Sequence, residues 1–356
     1  MLNNPYLNFY KGKKVFITGH TGFKGSWLAF LLHLIGAKVH GYSLSPLKNS
    51  LFNSLNLADK IESSFADIRD LKCLSDAMNR FEPDCVFHLA AQALVKDSYL
   101  DPINTYSTNV MGSLNLLESV RNSKSVRTLI YVTSDKCYEN LEWIWGYREN
   151  DRLGGHDPYS SSKAAAELIF STYLKSFFSN NINIGIASVR AGNVIGGGDW
   201  APNRIIPDAI RSILDNTSLV IRNPYATRPW QHVLEPLSGY LFLAYKLSED
   251  PIKFQGSWNF GPSSMKVKNV GEIIDILFRK IGAGSVEIKQ ETSGDHEAGL
   301  LQLNCDKAHQ VLNWHSKWNL EETLTATADW YKAYLNNDNV SLITQLQLNE
   351  YFGESL

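Results

Sequence analysis

Four polar residues follow one another at the end of an apolar run. Thr133, Ser134, Asp135 and Lys136 come directly after residues 128–132. Their side chains can donate, accept or transfer protons. An ordinary loop would also use polar residues here, so two interpretations stand side by side. The row is either a plain strand end or a set of catalytic groups at the edge of a sheet.

A tyrosine and a lysine lie four residues apart at the beginning of a predicted helix. Tyr159 and Lys163 occur in the sequence YSSSK, and this spacing puts both on one helix face. A nearby ammonium group favours the phenolate and lowers the pKa of a tyrosine. A tyrosine activated in this way can accept a proton from a sugar hydroxyl near neutral pH. The pair predicts acid–base chemistry, although YxxxK also occurs by chance.

A glycine-rich turn joins the first predicted strand to a helix. TGHTGFKG places Gly19, Gly22 and Gly25 in a GxxGxxG spacing. Such glycines permit a tight turn and close approach of the backbone to a pyrophosphate, which the helix N-terminus attracts. We expect a dinucleotide site here. The second strand runs into GYSLSPLK, which has no Asp, Glu or Arg, so the choice between NAD and NADP is left open.

The first half of the chain alternates short apolar runs with helical stretches. The candidate strands are KVFITG, AKVHGYSL, DCVFHLAAQ, RTLIYVTSD and INIGIASVR. This alternation predicts an α/β fold with a doubly wound (Rossmann) parallel sheet covered by helices on both faces. Ligands of such sheets bind at the carboxyl ends of the strands. Asp135 is therefore expected to face the ligand crevice.

The pattern becomes less regular after about Arg190. We expect residues 10–190 to form the dinucleotide-binding Rossmann domain, with residues 231–262 returning to it. Residues 191–230 and 263–356 are expected to form a smaller C-terminal α/β lobe that binds the sugar nucleotide.

The composition excludes several classes of function. The chain has 34 basic and 36 acidic residues and a net charge of -2, which gives no long-range field for nucleic acid or an anionic membrane. Its four cysteines are scattered and predict buried free thiols rather than disulfides or a metal site. No leader-like or membrane-spanning apolar run is present. These features predict a cytoplasmic protein with neither nucleic acid nor a membrane as partner.

The motifs together resemble the extended short-chain dehydrogenase/reductase superfamily, the group of NAD-dependent epimerases and dehydratases. This resemblance rests on TGHTGFKG, HLAAQ, STNVMGSLNLLE, TSDKCY and PYSSSKAAAE. Within the superfamily, TSDKCYEN, EWIWGYREND and RPWQHVLEPL are similar to the nucleotide-sugar 4,6-dehydratases, and most of all to those that use CDP-glucose. The similarity extends from about Tyr10 to Trp330.

The resemblance implies NAD as cofactor and CDP-glucose as substrate. The implied reaction oxidises C4 of the hexose, removes water across C5 and C6, and returns the hydride to C6, as an early step of deoxysugar and lipopolysaccharide biosynthesis. The alternatives are a UDP- or dTDP-sugar dehydratase, a sugar-nucleotide 4-epimerase, and a non-catalytic dinucleotide-binding regulator. An epimerase needs no acid for C6, so Asp135 and Lys136 argue against it. A regulator would typically lack Tyr159, Lys163 or Asp135.

The resemblance also implies roles for the groups that act at C4. Tyr159 would remove the proton of the C4 hydroxyl. Lys163 would tune Tyr159 and hold the nicotinamide ribose. Thr133 or Ser134 would bind the C4 oxygen, and Thr133 is taken to occupy the usual Ser/Thr position.

Two further residues would act at C5 and C6. Asp135 would protonate the leaving C6 hydroxyl, which requires a neutral acid whose pKa is raised by burial or by the nucleotide's charge. Lys136 stands where relatives that use dTDP-glucose have Glu. It would act at C5, either as a base or as a cation that stabilises the enolate.

The remaining implied positions line the cofactor and the sugar diphosphate. The cofactor positions are Gly19, His20, Thr21, Gly22, Phe23, Gly25, Asp67, Ile68, Leu89, Ala90, Ala91, Asn109, Tyr159 and Lys163. The substrate positions are Asn193, Arg204 and Arg228. The aromatic segment 139–151 is interpreted as a lid over the hexose. Helices within residues 103–120 and 161–178 would pair two subunits, giving a homodimer or homotetramer.

Overall fold

The computed structural model describes residues 3–262, 268–289 and 300–356. Within these ranges the strands are β1 (Lys14–Thr18), β2 (Lys38–Ser43), β3 (Glu62–Phe65), β4 (Cys85–His88), β5 (Thr128–Val132), β6 (Gly185–Ala191), β7 (Val194–Ile195), β8 (Leu219–Ile221), β9 (Thr227–Arg228), β10 (Gln231–His232), β11 (Gly256–Phe260), β12 (Lys268–Asn269) and β13 (Val286–Ile288).

The helices of the same ranges are α1 (Pro5–Asn8), α2 (Phe23–Leu34), α3 (Leu51–Ser54), α4 (Leu71–Phe81), α5 (Val95–Leu100), α6 (Pro102–Tyr106), α7 (Ser113–Asn122), α8 (Pro158–Tyr173), α9 (Ile205–Leu214), α10 (Leu234–Glu249), α11 (Pro251–Phe254), α12 (Val270–Ile281), α13 (Leu320–Leu335) and α14 (Val340–Phe352). Short 3₁₀ turns lie at Leu57–Asp59 and Asp135–Cys137, and π-helical turns at Ser107–Gly112, Leu174–Phe178 and Ala308–Leu312.

A seven-stranded sheet in the order β3-β2-β1-β4-β5-β6-β11 organises the molecule. Every neighbouring pair in it is parallel. The order reverses between β1 and β4, and such a reversal opens a crevice at the carboxyl ends of the strands. The predicted doubly wound parallel sheet is confirmed. The polar strand β3 (ESSF) was not predicted from the sequence.

The two faces of the sheet belong to separate apolar clusters. On β1, Val15 and Ile17 pack into one cluster, which also contains Trp27 of α2. Phe16, which lies between them in sequence, packs into the other cluster with Leu117 of α7. Successive side chains of a strand point to opposite faces, so a sheet covered on both sides needs a continuous apolar run. The run KVFIT supplies it.

The last strand of the sheet comes from the second half of the chain. β11 lies beside β6 in parallel register, with Phe260 opposite Ala191. The sheet thus takes strands from residues 14–191 and again from residues 256–260. The division into two lobes remains a prediction.

The helix that carries the YSSSK motif begins at a well-defined cap. The Asp157 carboxylate accepts a hydrogen bond of 2.9 Å from the backbone N–H of Ser160, and Pro158 occupies the first turn. Both features favour a helix start at this point. Tyr159 therefore lies in the first turn of α8 and Lys163 one turn further along.

Two simpler features complete the description. Cys85, Cys137 and Cys305 are buried free thiols, whereas Cys73 is exposed, contrary to the expectation for that residue. Within residues 3–262, 268–289 and 300–356, no helix has the length and apolar character needed to span a bilayer.

Candidate active site

The polar row lies where the crevice was expected, at the carboxyl end of β5. The backbone N–H of Thr133 still bonds to the carbonyl of Val189 on β6, at 2.9 Å. The chain then turns through the 3₁₀ segment Asp135–Cys137. Thr133, Ser134 and Asp135 are buried, and Lys136 is partly exposed.

Ser134 connects the groups that could move protons. Its hydroxyl donates to Oδ1 of Asp135 at 2.9 Å, and Ser134 also lowers the pKa of the Tyr159 phenol. A hydroxyl can both donate and accept, so Ser134 can relay or share a proton between them. The structure brings Ser134, Asp135 and Tyr159 into one cluster.

Thr133 points elsewhere. Its hydroxyl donates to the carboxylate of Glu167 on α8. Adjacent residues of an extended chain project to opposite sides, so Thr133 and Ser134 cannot both face the crevice. Of the two hydroxyls left open by the sequence, this arrangement favours Ser134 as the one that binds the substrate, and this role stays a prediction.

Several groups set the acid–base properties of Tyr159. Burial raises the pKa of Tyr159 to about 12, Ser134 lowers this pKa, the Asp135 carboxylate raises it and the Arg204 charge lowers it. Lys163 Nζ lies 6.0 Å from the centre of the Tyr159 ring. Burial lowers the pKa of Lys163 to about 8. Ser134 and Arg204 therefore favour the phenolate form of Tyr159, whereas the Asp135 charge opposes it.

A second lysine, to which the sequence assigned no role, is within electrostatic reach of this cluster. Lys24 lies in the first turn of α2, within the glycine-rich motif. Burial and the charge of Arg204 lower its pKa to about 8, and the charge of Asp135 opposes this effect. The only sequence signal for Lys24 was a lysine inside TGHTGFKG.

The glycine-rich turn has the tight backbone that a dinucleotide needs. Gly19 has φ +77°, and a Cβ there would lie 2.7 Å from the backbone nitrogen of Ala90. A Cβ on Gly25 would clash with the carbonyl oxygen of Gly19. Gly22 caps α2 with no side chain over the helix end. These features fit a pyrophosphate seated against the backbone of this turn.

His20 fills the space beside this turn. Its ring lies over Gly41 of β2, where a Cβ would overlap it. Its Nδ1 bonds to Ser43 Oγ at 3.1 Å and its Nε2 to Ser63 Oγ at 3.0 Å. Burial lowers the pKa of His20 to about 4. Thr21 bonds to the same Ser43 hydroxyl at 2.8 Å. Hydroxyl groups of Thr21 and Ser43 thus lie at the end of β2.

The other implied cofactor residues occupy varied surroundings. Asp67 forms an ion pair with Arg69 at 2.6 Å, and the Ile68 side chain packs in the core against Gly112. Leu89 and Ala90 bond through their backbone N–H groups to Thr18 of β1.

Asn109 braces the loop after β4. Its Oδ1 accepts from the backbone N–H of Gln92 at 2.8 Å, and its Nδ2 donates to Ser162 Oγ at 2.9 Å. It therefore links the loop that contains Ala91 to helix α8.

The three residues expected to bind the substrate differ in how they relate to the cluster of Ser134, Asp135 and Tyr159. Arg204 acts electrostatically on Tyr159 and forms an ion pair with Asp199 at 2.9 Å. Asn193 follows Gly192, where a Cβ would lie 3.1 Å from Asp135 Oδ2. Arg228 lies on β9, which pairs with β12 outside the main sheet. Arg204 thus acts on the cluster through its charge, Asn193 adjoins a residue beside Asp135, and the link from Arg228 to the cluster stays a prediction.

The aromatic segment 139–151 is held at both ends, by Glu139 and by Tyr147–Glu149, and is exposed in its middle. The backbone of Tyr147 bonds to Gln302 and Asn304 at 2.8 and 2.9 Å. Ile144 and Trp145 at the tip are exposed. In the part of the chain that the structure describes, no group of three His, Cys, Asp or Glu side chains is arranged to hold a metal ion.

Comparisons with known proteins agree with this geometry. The family model described as GDP-mannose 4,6 dehydratase matches residues 16–327. The chain is 48% identical over 351 residues to a protein named CDP-glucose 4,6-dehydratase from Salmonella typhimurium, and the match covers 97% of this chain and 98% of that protein. It is 26% identical to a UDP-glucose 4-epimerase of Mycoplasma genitalium, covering 91% of this chain and 98% of the relative.

Solved structures support the fold. The epimerase Mth375 of Methanothermobacter thermautotrophicus superposes with a TM-score of 0.80 at 24% identity, over 93% of this chain and 96% of that one. A dTDP-glucose 4,6-dehydratase of Bacillus anthracis, solved with NAD, gives a TM-score of 0.75 at 21% identity, over 92% and 99%. The family match and the near-complete similarity at 48% identity show that this chain belongs to the nucleotide-sugar 4,6-dehydratase family.

Proposed function

We propose that this protein converts CDP-glucose into CDP-4-keto-6-deoxyglucose and water, with NAD as its cofactor. The observation that carries the nucleotide choice is the 48% identity along nearly the whole length of a relative named for CDP-glucose. The cluster of Ser134, Asp135 and Tyr159 supports the type of reaction.

The glycine-rich turn is the proposed seat of the cofactor. Gly19 and Gly25 leave no room for a side chain, and the N-terminus of α2 presents free N–H groups to a pyrophosphate. Bound NAD supplies a temporary acceptor for the hydride of C4. Asn109 would hold the loop after β4 beside that cofactor.

Tyr159 and Ser134 are the groups proposed to act at C4. Tyr159 accepts the proton of the C4 hydroxyl as the ketone forms, and Ser134 donates a hydrogen bond to the same oxygen. Arg204 favours this step because its charge lowers the pKa of Tyr159 against the effect of burial.

Asp135 and Lys136 are proposed to act in the elimination. The C4 ketone acidifies the C5 proton, which Lys136 accepts as a neutral amine, and the ammonium form that results then stabilises the enolate. Asp135 in its protonated form gives its proton to the C6 hydroxyl, which leaves as water. Hydride return to C6, with a proton delivered to C5, completes the product.

An apolar surface on the helices around α8 supports a homo-oligomer. We call it the helix surface; its members are the exposed residues Leu100, Ile103, Met111, Leu168 and Phe177. The helices that carry them pack against one another. Contiguous exposed apolar patches commonly mark protein–protein contacts, and we propose that these residues form one such patch through which two subunits pair. A tetramer, a cytoplasmic location and a role in deoxysugar biosynthesis remain predictions.

An NMR assay of the purified protein tests the proposed function. The protein is incubated with NAD and, separately, with CDP-, dTDP- and UDP-glucose. We expect a 4-keto-6-deoxy sugar from CDP-glucose alone and no net reduced cofactor. Product from another nucleotide would overturn the proposed base specificity, and C4-inverted sugar would replace the dehydratase with an epimerase.

A further inference from the structure

A buried ion pair lies directly behind the proposed catalytic row. Glu167 on α8 and Arg190 on β6 are 1% and 2% exposed. Arg190 donates from Nε to Oε1 of Glu167 at 2.9 Å and from Nη2 to Oε2 at 2.7 Å. Burial alone would raise the pKa of Glu167, but Arg190 outweighs it and holds this pKa below its ordinary value. Neither residue was assigned a role from the sequence.

The carboxylate of Glu167 also holds the beginning of the row. One oxygen accepts from the Thr133 hydroxyl, and the other accepts from the Ser188 hydroxyl at 2.9 Å. Because side chains alternate along an extended chain, fixing Thr133 on this side turns Ser134 towards the crevice. The backbone of Ser134 is extended, with φ -163° and ψ 157°.

The guanidinium of Arg190 holds the end of the row. Its Nη1 donates to the hydroxyl of Tyr138 at 2.6 Å and to the backbone carbonyl of Glu149 at 3.0 Å. The Tyr138 hydroxyl in turn donates to Asn259 on β11 at 2.8 Å. One ion pair therefore contacts Thr133 just before the reactive residues and Tyr138 just after them.

We propose that Glu167 and Arg190 are positioning residues, which hold segment 133–138 at both ends so that the Ser134 hydroxyl is directed towards Asp135 and Tyr159. This inference rests on the proposed function, since it assigns the supports of the same site. Neither residue touches the substrate. Their effect on catalysis passes through Ser134. Losses of activity caused by weakening these supports should therefore not add to the loss caused by removing the Ser134 hydroxyl.

Thr133→Val is the sharpest probe because it removes one hydroxyl and leaves the ion pair intact. We expect kcat to fall about tenfold, since a small displacement of a catalytic group has large kinetic effects. KM should stay within about twofold. Thr133→Ser keeps the hydroxyl and should restore the wild-type kcat to within about twofold.

A double-mutant cycle separates positioning from direct contact. If Thr133 acts through Ser134, Thr133→Val should cause less than about a twofold further loss in a Ser134→Ala background. A full tenfold loss in that background would mean that Thr133 contacts the substrate itself, which overturns the proposal. Wild-type activity of Thr133→Val alone would overturn it as well.

A second variant tests the other end of the row. Tyr138→Phe removes the hydroxyl that Arg190 contacts, and it should lower kcat in the wild-type protein. In a Ser134→Ala background the same substitution should cause little further loss. It also serves if Thr133→Val does not fold. Additive losses would again contradict the proposal. Failure of the wild-type protein to convert CDP-glucose in parallel would instead refute the proposed function, so the two failures are distinguishable.

Discussion

Ser134 and Asp135 are joined by a hydrogen bond of 2.9 Å between the serine Oγ and the carboxylate Oδ1. The same serine lowers the pKa of the Tyr159 phenol. This arrangement puts the proposed base for C4 and the proposed acid for C6 on either side of one hydroxyl. The two half-reactions can therefore share a single position of the hexose.

Replacing Asp135 should separate oxidation from elimination. Asp135→Asn keeps the shape of the side chain but cannot give a proton to the C6 hydroxyl. We expect dehydration to fall by at least about 10²-fold, while C4 oxidation continues and reduced cofactor accumulates on the enzyme. Absorbance of the reduced nicotinamide and NMR of the sugar would measure the two steps.

The matched control is Asp76→Asn. Asp76 lies on α4, where its carboxylate forms a surface ion pair with Lys72, and it has no proposed role in the reaction. It should dehydrate CDP-glucose at the wild-type rate. Normal dehydration by Asp135→Asn would show that another group protonates the leaving hydroxyl.

The glycine-rich turn should tolerate a methyl group at one glycine but not at another. In Gly25→Ala the new Cβ would collide with the Gly19 carbonyl, so we expect a lower melting temperature and loss of NAD binding. In Gly22→Ala the Cβ lies 3.4 Å from that carbonyl, so the fold should survive. Thermal unfolding and titration with NAD distinguish these effects. A fully stable Gly25→Ala protein with normal NAD affinity would contradict this packing.

Buried histidines should make the fold sensitive to acid. Burial lowers the pKa of His20 to about 4 and that of His88 and His232 to about 3, from 6.5. Between these values the unfolded chain binds more protons than the folded one, so the free energy of unfolding falls as pH decreases below 6.5. Each histidine contributes up to about 1.4 kcal/mol per pH unit.

Urea unfolding between about pH 7 and about pH 5 would measure this slope. His232→Leu should make the slope of the unfolding free energy against pH shallower, because one fewer proton is taken up on unfolding. His156→Gln, at an exposed position, should leave it unchanged. An identical slope in His232→Leu and the wild type would mean that His232 is not held neutral.

Charges on the helix surface should dissociate the oligomer. Leu100 and Ile103 are 84% and 81% exposed in the single chain. A dimer through this surface would bury glutamates placed at these positions, and burying their charges costs free energy. The variant Leu100→Glu/Ile103→Glu should elute as a monomer in size-exclusion chromatography with light scattering. Leu342→Glu, on the exposed side of α14, should elute like the wild type. A monomeric wild-type protein would refute the proposed dimer.

The sequence predicted the parts of the fold that depend on local patterns. Apolar runs such as KVFIT identify strands buried on both faces, and the glycine spacing identifies the turn that follows. The polar strand β3 carries no such signal, because it lies at the edge of the sheet and is only partly buried.

The position of the polar residues 133–136 at the end of a strand was predictable from the sequence, but the orientation of their side chains was not. Thr133 and Ser134 are both hydroxyl residues at the end of a strand, and which of them faces the crevice depends on Glu167, 34 positions later. The cluster around Lys24 depends in the same way on Arg204, which a distant loop supplies. Contacts between such separated residues are set by tertiary packing, which periodicity does not report.

The central claim is that one bound cofactor removes the hydride from C4 and returns it to C6 of the same sugar. CDP-glucose carrying deuterium at C4 tests it most directly, with NMR of the product after complete conversion. We predict that the deuterium appears at C6 of a 4-keto-6-deoxy sugar and that no reduced cofactor remains. Deuterium that is found at C4 of an inverted sugar, or that is missing from C6, would contradict the account.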